Sequence, residues 1–144
     1  MAARNGSAEW RGDLESGSGT LTVGDGAFVG SYSFESRFGD GDGGTNPEQL
    51  IAAAHAACFS MALSNILSGA GHAPESVRTN ARVQLRNIEG APTLTRIDLD
   101  TEASVRGLDQ SQFETYATQA KESCPVSRAL AAIPEIVLTA KLAA

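Results

Sequence analysis

Residues 46 to 67 read NPEQLIAAAHAACFSMALSNIL, and no other stretch constrains the fold of this chain as strongly. Asn46 can cap a helix, Pro47 suits the first helical position, and Gln49 stands three residues after the cap, where it can bond back. Glu48 in the first turn complements the positive end of the helix dipole. Gly69 or Gly71 supplies the stop. At about 1.5 Å per residue this helix is roughly 35 Å long. Apolar residues surround it, which predicts a long buried central helix. The alanines at 52, 53, 54, 56 and 57 would let another helix or a sheet approach closely. A histidine and a cysteine in the middle of such a helix are costly to bury without partners.

Before this helix, SAEWRG, GTLTV and GDGAFVGSYSF are short apolar-bearing pieces split by the turn signals Gly17-Ser18-Gly19 and Gly24-Asp25-Gly26. They predict an antiparallel meander between Ala8 and Phe38. GDGDGG, residues 39–44, reads as an acidic linker; Asp40 and Asp42 lack the remaining ligands of a calcium loop. After the helix, RVQLRNI and TLTRIDLDTEASV read as strands joined at Gly90-Ala91-Pro92. Ile97, Leu99, Thr101, Ala103 and Val105 share one face of the second, with Arg96, Asp98, Asp100 and Glu102 on the other. LDQSQFETYATQAKES then predicts a helix with Leu108, Phe113, Tyr116 and Ala120 on its apolar side. A short helix follows from Cys124-Pro125 to about Ala131, and PEIVLTAKL closes as a strand. The fold class expected is α+β, one domain over 1–144 with helices set against antiparallel sheets.

The chain has 144 residues, 42% of them hydrophobic and 19% charged, with a net charge of −6. Scattered Lys and Arg in an acidic chain exclude the basic footprint that nucleic acid requires. MAARNGSAEWRG has no apolar segment of a signal peptide. Residues 50–67 come nearest to a membrane span, but His55, Ser60, Ser64 and Asn65 interrupt them. The expectation is a cytoplasmic protein.

Cys58 and Cys124 are the only cysteines. In a reducing compartment a cysteine pair tends to be catalytic or redox-sensing, although two inert buried thiols are the commoner outcome by count alone. Cys58 lies mid-helix, so its own helix terminus cannot activate it and another positive group is needed to favour the thiolate. His55, three residues earlier on the same face, is either that group or a core histidine bonded to backbone or a hydroxyl; the second reading is preferred. Cys124, followed by Pro125, falls at the cap of a new helix, where free N–H groups favour an anion.

NPEQLIAAAHAACFSMALS and the later CPVSRAL, together with AEWRGDLESGSGTLTV and SRFGDGDGGTNPE, resemble the OsmC/Ohr family of osmotically inducible and organic hydroperoxide resistance proteins. The wording of SRFGDGDGGTNPE and AAAHAAC is that of the OsmC branch. The resemblance implies a thiol peroxidase that reduces organic hydroperoxides and hydrogen peroxide. It places the reactive cysteine at Cys58, the second cysteine at Cys124, the catalytic arginine at Arg37 and its glutamate partner at Glu48. Arg11 in WRG is the only rival arginine and matches less well. No metal or organic cofactor is implied, and a dithiol reductant, of lipoyl type by resemblance, would restore the thiols.

Glu48 and Cys58 stand ten residues apart on one predicted helix, about 15 Å along its axis and about 80° around it. No Glu side chain spans that distance, which predicts an intertwined homodimer with composite sites, Glu48 and Arg37 coming from the chain opposite the cysteines. Three other readings compete. The first is a non-enzymatic thiol redox sensor, for which no basic helix is visible. The second is a metal module through Cys58, Cys124, His55 and His72, which lack close paired spacing. The third is a structural protein with inert thiols.

Overall fold

The computed structural model describes residues 1–40 and 43–143. Asp42, half of the acidic pair considered in the 39–44 linker, lies outside the described residues. Chain contacts define two compact units, Met1–Leu50 and Ile51–Ala144.

The first unit is an antiparallel meander of β1 (Gly6–Arg11), β2 (Ser18–Val23) and β3 (Phe28–Tyr32). Gly19 on β2 pairs with both Trp10 and Tyr32, whose rings meet 5.4 Å apart. A side chain at 19 would run into both rings, so the smallest residue is required there. A short helix, α1 (Phe34–Phe38), follows where the sequence suggested only the end of the meander. Ser33 caps it and Ser36 bonds back, a capping box spelled with two serines. The helix α2 (Pro47–Gly69) begins in this unit and continues through the second. Asn46 Oδ1 accepts from the N–H of Gln49 at 2.8 Å, as expected of the cap. Gln49 does not bond back; its side chain accepts from the Thr45 hydroxyl.

In the second unit α2 ends in a Schellman motif. The N–H of His72 bonds Leu67 O, that of Gly71 bonds Ser68 O, and Gly71 takes φ +88°. β4 (Ser76–Ile88) and β5 (Ala91–Ser104) form a long antiparallel hairpin. Its turn is Glu89-Gly90, both at positive φ, the two-residue type whose twist matches the strands. Ala91 and Pro92 therefore belong to β5 and not to the turn. α3 (Gln110–Ser123) and α4 (Pro125–Ala129) cross over to β6 (Glu135–Leu142), which joins β5 in parallel register, Ile97 beside Ile136 and Leu99 beside Leu138. A helical crossover is what allows a parallel neighbour, so this sheet is mixed and only the first is wholly antiparallel.

The core of the second unit joins Phe59, Leu63 and Leu67 of α2 to Ile97, Leu99 and Ala103 of β5 and Phe113, Ala117 and Ala120 of α3. By length and hydropathy α2 could cross a bilayer. Its stripe His55, Phe59, Leu63 and Leu67 is instead fully buried at four-residue spacing, as in a core helix. Cys58, Ala62 and Ile66 pack against the same core, whereas Ala53, Ala54, Ala57 and Met61 are exposed.

Candidate functional site

The side chains singled out by the sequence fall into two groups, one in each unit. In the first, Arg37 ends α1 and Glu48 opens α2. The intervening linker is tied down at both ends: Ser36 Oγ donates to Thr45 O (2.8 Å), and Asn46 Nδ2 donates to Ser36 O (2.9 Å). These bonds set the two charged residues opposite one another. Arg37 Nη2 donates to Glu48 Oε1 at 2.8 Å, and Nε lies 3.2 and 3.3 Å from the two carboxylate oxygens. Glu48 is nearly buried, while the Arg37 side chain keeps 36% of its surface. Among the described residues Nη1 makes no hydrogen bond, so one edge of the guanidinium faces outward for another acceptor. The Phe38 ring lies 5.1 Å from its Cζ. Beside it a cavity of about 240 Å³ is lined by Trp10, Leu14, Tyr32, Phe34, Arg37 and Phe38.

The second group is the thiols. Both cysteines are free, Cys124 fully buried and Cys58 partly exposed. Cys124 caps α4, with Pro125 at its first position. Cys58 packs against the core that contains Cys124, and their surroundings push the two acidities apart. Burial pushes the Cys58 thiol above its ordinary value; the Val126 N–H opposes this, and the neighbouring Cys124 adds to it. Burial pushes Cys124 upward too. There it is outweighed by the Ser127 N–H, the Cys58 thiol, the Ser127 hydroxyl and the Val126 N–H, so Cys124 falls below its ordinary value.

His55 is fully buried and its Nε2 lies 2.7 Å from Ser127 Oγ. It is the hydroxyl-bonded core histidine of the preferred reading, and burial lowers its pKa, which keeps it neutral. His72 sits beyond the C-terminal end of α2, with Nδ1 3.3 Å from Arg106 O. Among the described residues no His, Cys, Asp and Glu cluster into a metal-binding group. Arg11 is exposed and pairs with Glu9. Sequence reasoning missed Ser127. Its signal was position: three residues past a capping Cys124, it stands where a side chain reaches back to its cap. The aromatic cavity wall was also unread, because Trp10, Tyr32, Phe34 and Phe38 are gathered by strand register and by α1.

Two free thiols, one at a helix cap and one on the long helix α2, make this a dithiol protein of α+β fold. The family model described as OsmC-like protein matches residues 39–139. The chain is 45% identical over 140 residues, 96% of each chain, to Peroxiredoxin OsmC of Escherichia coli (strain K12). It is 32% identical over 102 residues, 70% of each, to an organic hydroperoxide resistance protein of Xanthomonas axonopodis pv. citri. Among solved structures, an organic hydroperoxide resistance protein OsmC from Legionella pneumophila superposes over the full length of both chains with a TM-score of 0.72 and 26% identity. The organic hydroperoxide resistance protein OhrB of Bacillus subtilis gives 0.69 and 26% identity over 96% of this chain and 98% of that one. This chain belongs to the OsmC-like protein family.

Proposed function

We propose that this chain is a thiol-dependent peroxidase that reduces organic hydroperoxides and hydrogen peroxide through Cys58 and Cys124, the whole of 1–144 acting as one OsmC-like domain. The observation that carries the reading is the gathering of two free cysteines in one core, in a chain 45% identical over 140 residues to Peroxiredoxin OsmC. Cys58, as thiolate, attacks the distal peroxide oxygen; the O–O bond breaks and the alkoxide leaves as alcohol after taking a proton. Cys58 becomes a sulfenic acid. Cys124 attacks its sulfur, water leaves, and a disulfide protects Cys58 from overoxidation. A dithiol reductant, of lipoyl type by family likeness, returns both thiols.

Cys58 is held above its ordinary pKa by its own surroundings, so a cation must favour its thiolate. Arg37 fills that role: its free Nη1 edge suits a peroxide oxygen or a thiolate, and Glu48 holds its other edge. The apolar cavity beside Arg37 suits the hydrocarbon part of an organic hydroperoxide.

The functional unit is a homodimer in which Arg37 and Glu48 of one chain serve the cysteines of the other. Ten helical residues put Glu48 about 15 Å from Cys58 along the axis, beyond the reach of its side chain. The exposed Ala53, Ala57 and Met61 face of α2 supports burial against a second copy. Mixing Cys58→Ser with Glu48→Ala subunits should restore about a quarter of wild-type activity per chain, because half the dimers are mixed and each has one intact site. A fully active monomer would refute shared sites. The setting we propose is cytoplasmic, as expected from the sequence.

The decisive assay is peroxide consumption with a dithiol reductant. Turnover separates the enzyme from a redox sensor on the same sulfurs, which would be oxidised once per peroxide and report to a partner.

A further inference from the structure

The mechanism above leaves His55 unused, although no part of it reaches solvent. Its Nε2 meets Ser127 Oγ at 2.7 Å, and its buried Nδ1 has no partner among the described residues. The orphan atom selects the tautomer. A buried N–H without an acceptor is rarer and costlier than an unused lone pair. The proton therefore sits on Nε2 and is donated to Ser127 Oγ, which leaves the hydroxyl proton to point elsewhere. Ser127 is itself nearly buried, at the third position of α4 and so in the turn that Cys124 caps, and its hydroxyl is among the donors that act on that sulfur.

We propose that His55 and Ser127 form a positioning relay that aims the Ser127 hydroxyl proton at the sulfur of Cys124, so that Cys124 both enters and leaves the disulfide as a thiolate. The inference rests on the reading of Cys124 as the second redox sulfur. In the proposed dimer the Arg37 guanidinium of the other chain also faces the cysteines, and it is kept unchanged in every variant below. Cys58 acts on Cys124 from α2, and the Val126 and Ser127 N–H groups act from α4. Ala117 and Ala120 of α3, Ile97 and Leu99 of β5, and Ile136 and Leu138 of β6, which belong to the same core, are apolar.

The relay serves both halves of the cycle. In resolution the Cys124 thiolate attacks the sulfur of the Cys58 sulfenic acid. The S–S bond forms, the S–O bond breaks, and hydroxide leaves as water with the proton Cys124 had given up. In reduction the partly exposed Cys58 is the sulfur a dithiol reductant can reach, since Cys124 is fully buried. The incoming thiolate forms a mixed disulfide with Cys58 and expels Cys124. The reductant's second thiol then closes its own disulfide and frees Cys58. A leaving sulfur of lower basicity departs faster.

In a Cys58→Ser chain the new hydroxyl keeps a donor where the thiol stood, and Cys124 is the only thiol. Its ultraviolet thiolate absorbance, titrated against pH and corrected with the Cys58→Ser, Cys124→Ser chain, reads Cys124 alone. Ser127→Ala should raise the midpoint by about one pH unit, the scale of one hydrogen bond to a charged group. His55→Leu should raise it too, but add nothing once Ser127 is Ala. His55→Gln, whose amide N–H can replace Nε2–H, should restore it. In the two-cysteine chain, Ser127→Ala should slow disulfide formation after one peroxide equivalent about threefold near neutral pH. A tenfold loss of thiolate is partly offset by the greater nucleophilicity of the more basic sulfur. That deficit should close at high pH, which a packing defect would not do. Ser127→Ala removes one oxygen only and carries the test even where His55→Leu fails to fold. A Cys124 midpoint unmoved by Ser127→Ala overturns the relay. A Cys124→Ser chain that turns over peroxide and dithiol as fast as wild type overturns instead the assignment of Cys124 as the second redox sulfur, and with it the relay's role in turnover.

Discussion

Arg37 and Glu48 should behave as one unit, in stability and in catalysis alike. Two unit charges roughly 4 Å apart at an effective dielectric of about 20 attract by about 4 kcal/mol. The Arg37 side chain is 36% exposed, so water screens much of this, and ordering a long side chain costs more. Exposed pairs retain only about 0.2–1 kcal/mol. Glu48 is nearly buried and receives both Nε and Nη2, which places this pair above that range, at about 1–2 kcal/mol. The measurement is a double-mutant cycle in chemical denaturation with Arg37→Ala, Glu48→Gln and the double variant; Gln keeps the volume and removes the charge. The same chains should then be assayed for the rate of Cys58 oxidation. Glu48→Gln should slow it by about 10–100-fold, the cost of a misaligned group. In the Arg37→Ala background it should cost little further, because no guanidinium remains to be oriented. Additive kinetic effects together with a coupling energy near zero would refute the pair as an orienting device.

Three further outcomes are expected. Cys58→Ser should abolish peroxide reduction and Cys124→Ser should allow one turnover before oxidised Cys58 accumulates; mass spectrometry after one equivalent should show a Cys58–Cys124 disulfide in the wild type, and undiminished activity of Cys58→Ser would exclude the mechanism. Burial lowers the pKa of His55 in the folded chain, so its contribution is complete above the unfolded value near 6.5 and is lost as the pH falls below it. Denaturation between pH 7.5 and 5 should show a slope approaching about 1.4 kcal/mol per pH unit from this group, absent in His55→Gln. Gly19→Ala should lose about 1–3 kcal/mol by driving a methyl group into the Tyr32 and Trp10 rings, and an unchanged denaturation midpoint would show that the rings move aside.

The elements with strong local signals were legible in the sequence. Asn46-Pro47 marked the start of α2, Gly69 and Gly71 its stop, and the alternation from Ile97 to Val105 marked the buried face of β5. The losses came where the deciding contact is remote or the local signal is muted. Ser76–Ala81 of β4 offers only Val77, Thr79 and Ala81 to the inside, too weak a pattern to announce a strand by itself. The parallel register of β6 depends on where the α3–α4 crossover delivers the chain, which no residue of β6 encodes. Glu89 at positive φ moved the hairpin turn away from the more conspicuous Gly90-Ala91-Pro92. Residues 37 and 48 could be named from likeness alone, whereas their alignment depends on Ser36, Thr45 and Asn46 closing the linker. His55 and Ser127 are 72 residues apart, and only the fold brings them together.

On the proposed mechanism, the sulfur that must react first is the one its own neighbours leave protonated. This has a chemical logic. Two adjacent thiolates would repel, so the pair ionises in two coupled steps. The donors of α4 lower Cys124, whereas burial raises Cys58. Cys58 thus stays unreactive until a guanidinium completes the site, which limits adventitious oxidation of the more exposed thiol. Once peroxide has converted Cys58 to a neutral sulfenic acid, that repulsion is gone, and the donors of α4 favour the Cys124 thiolate that resolves it. Prompt resolution keeps the sulfenic acid from the irreversible sulfinic stage.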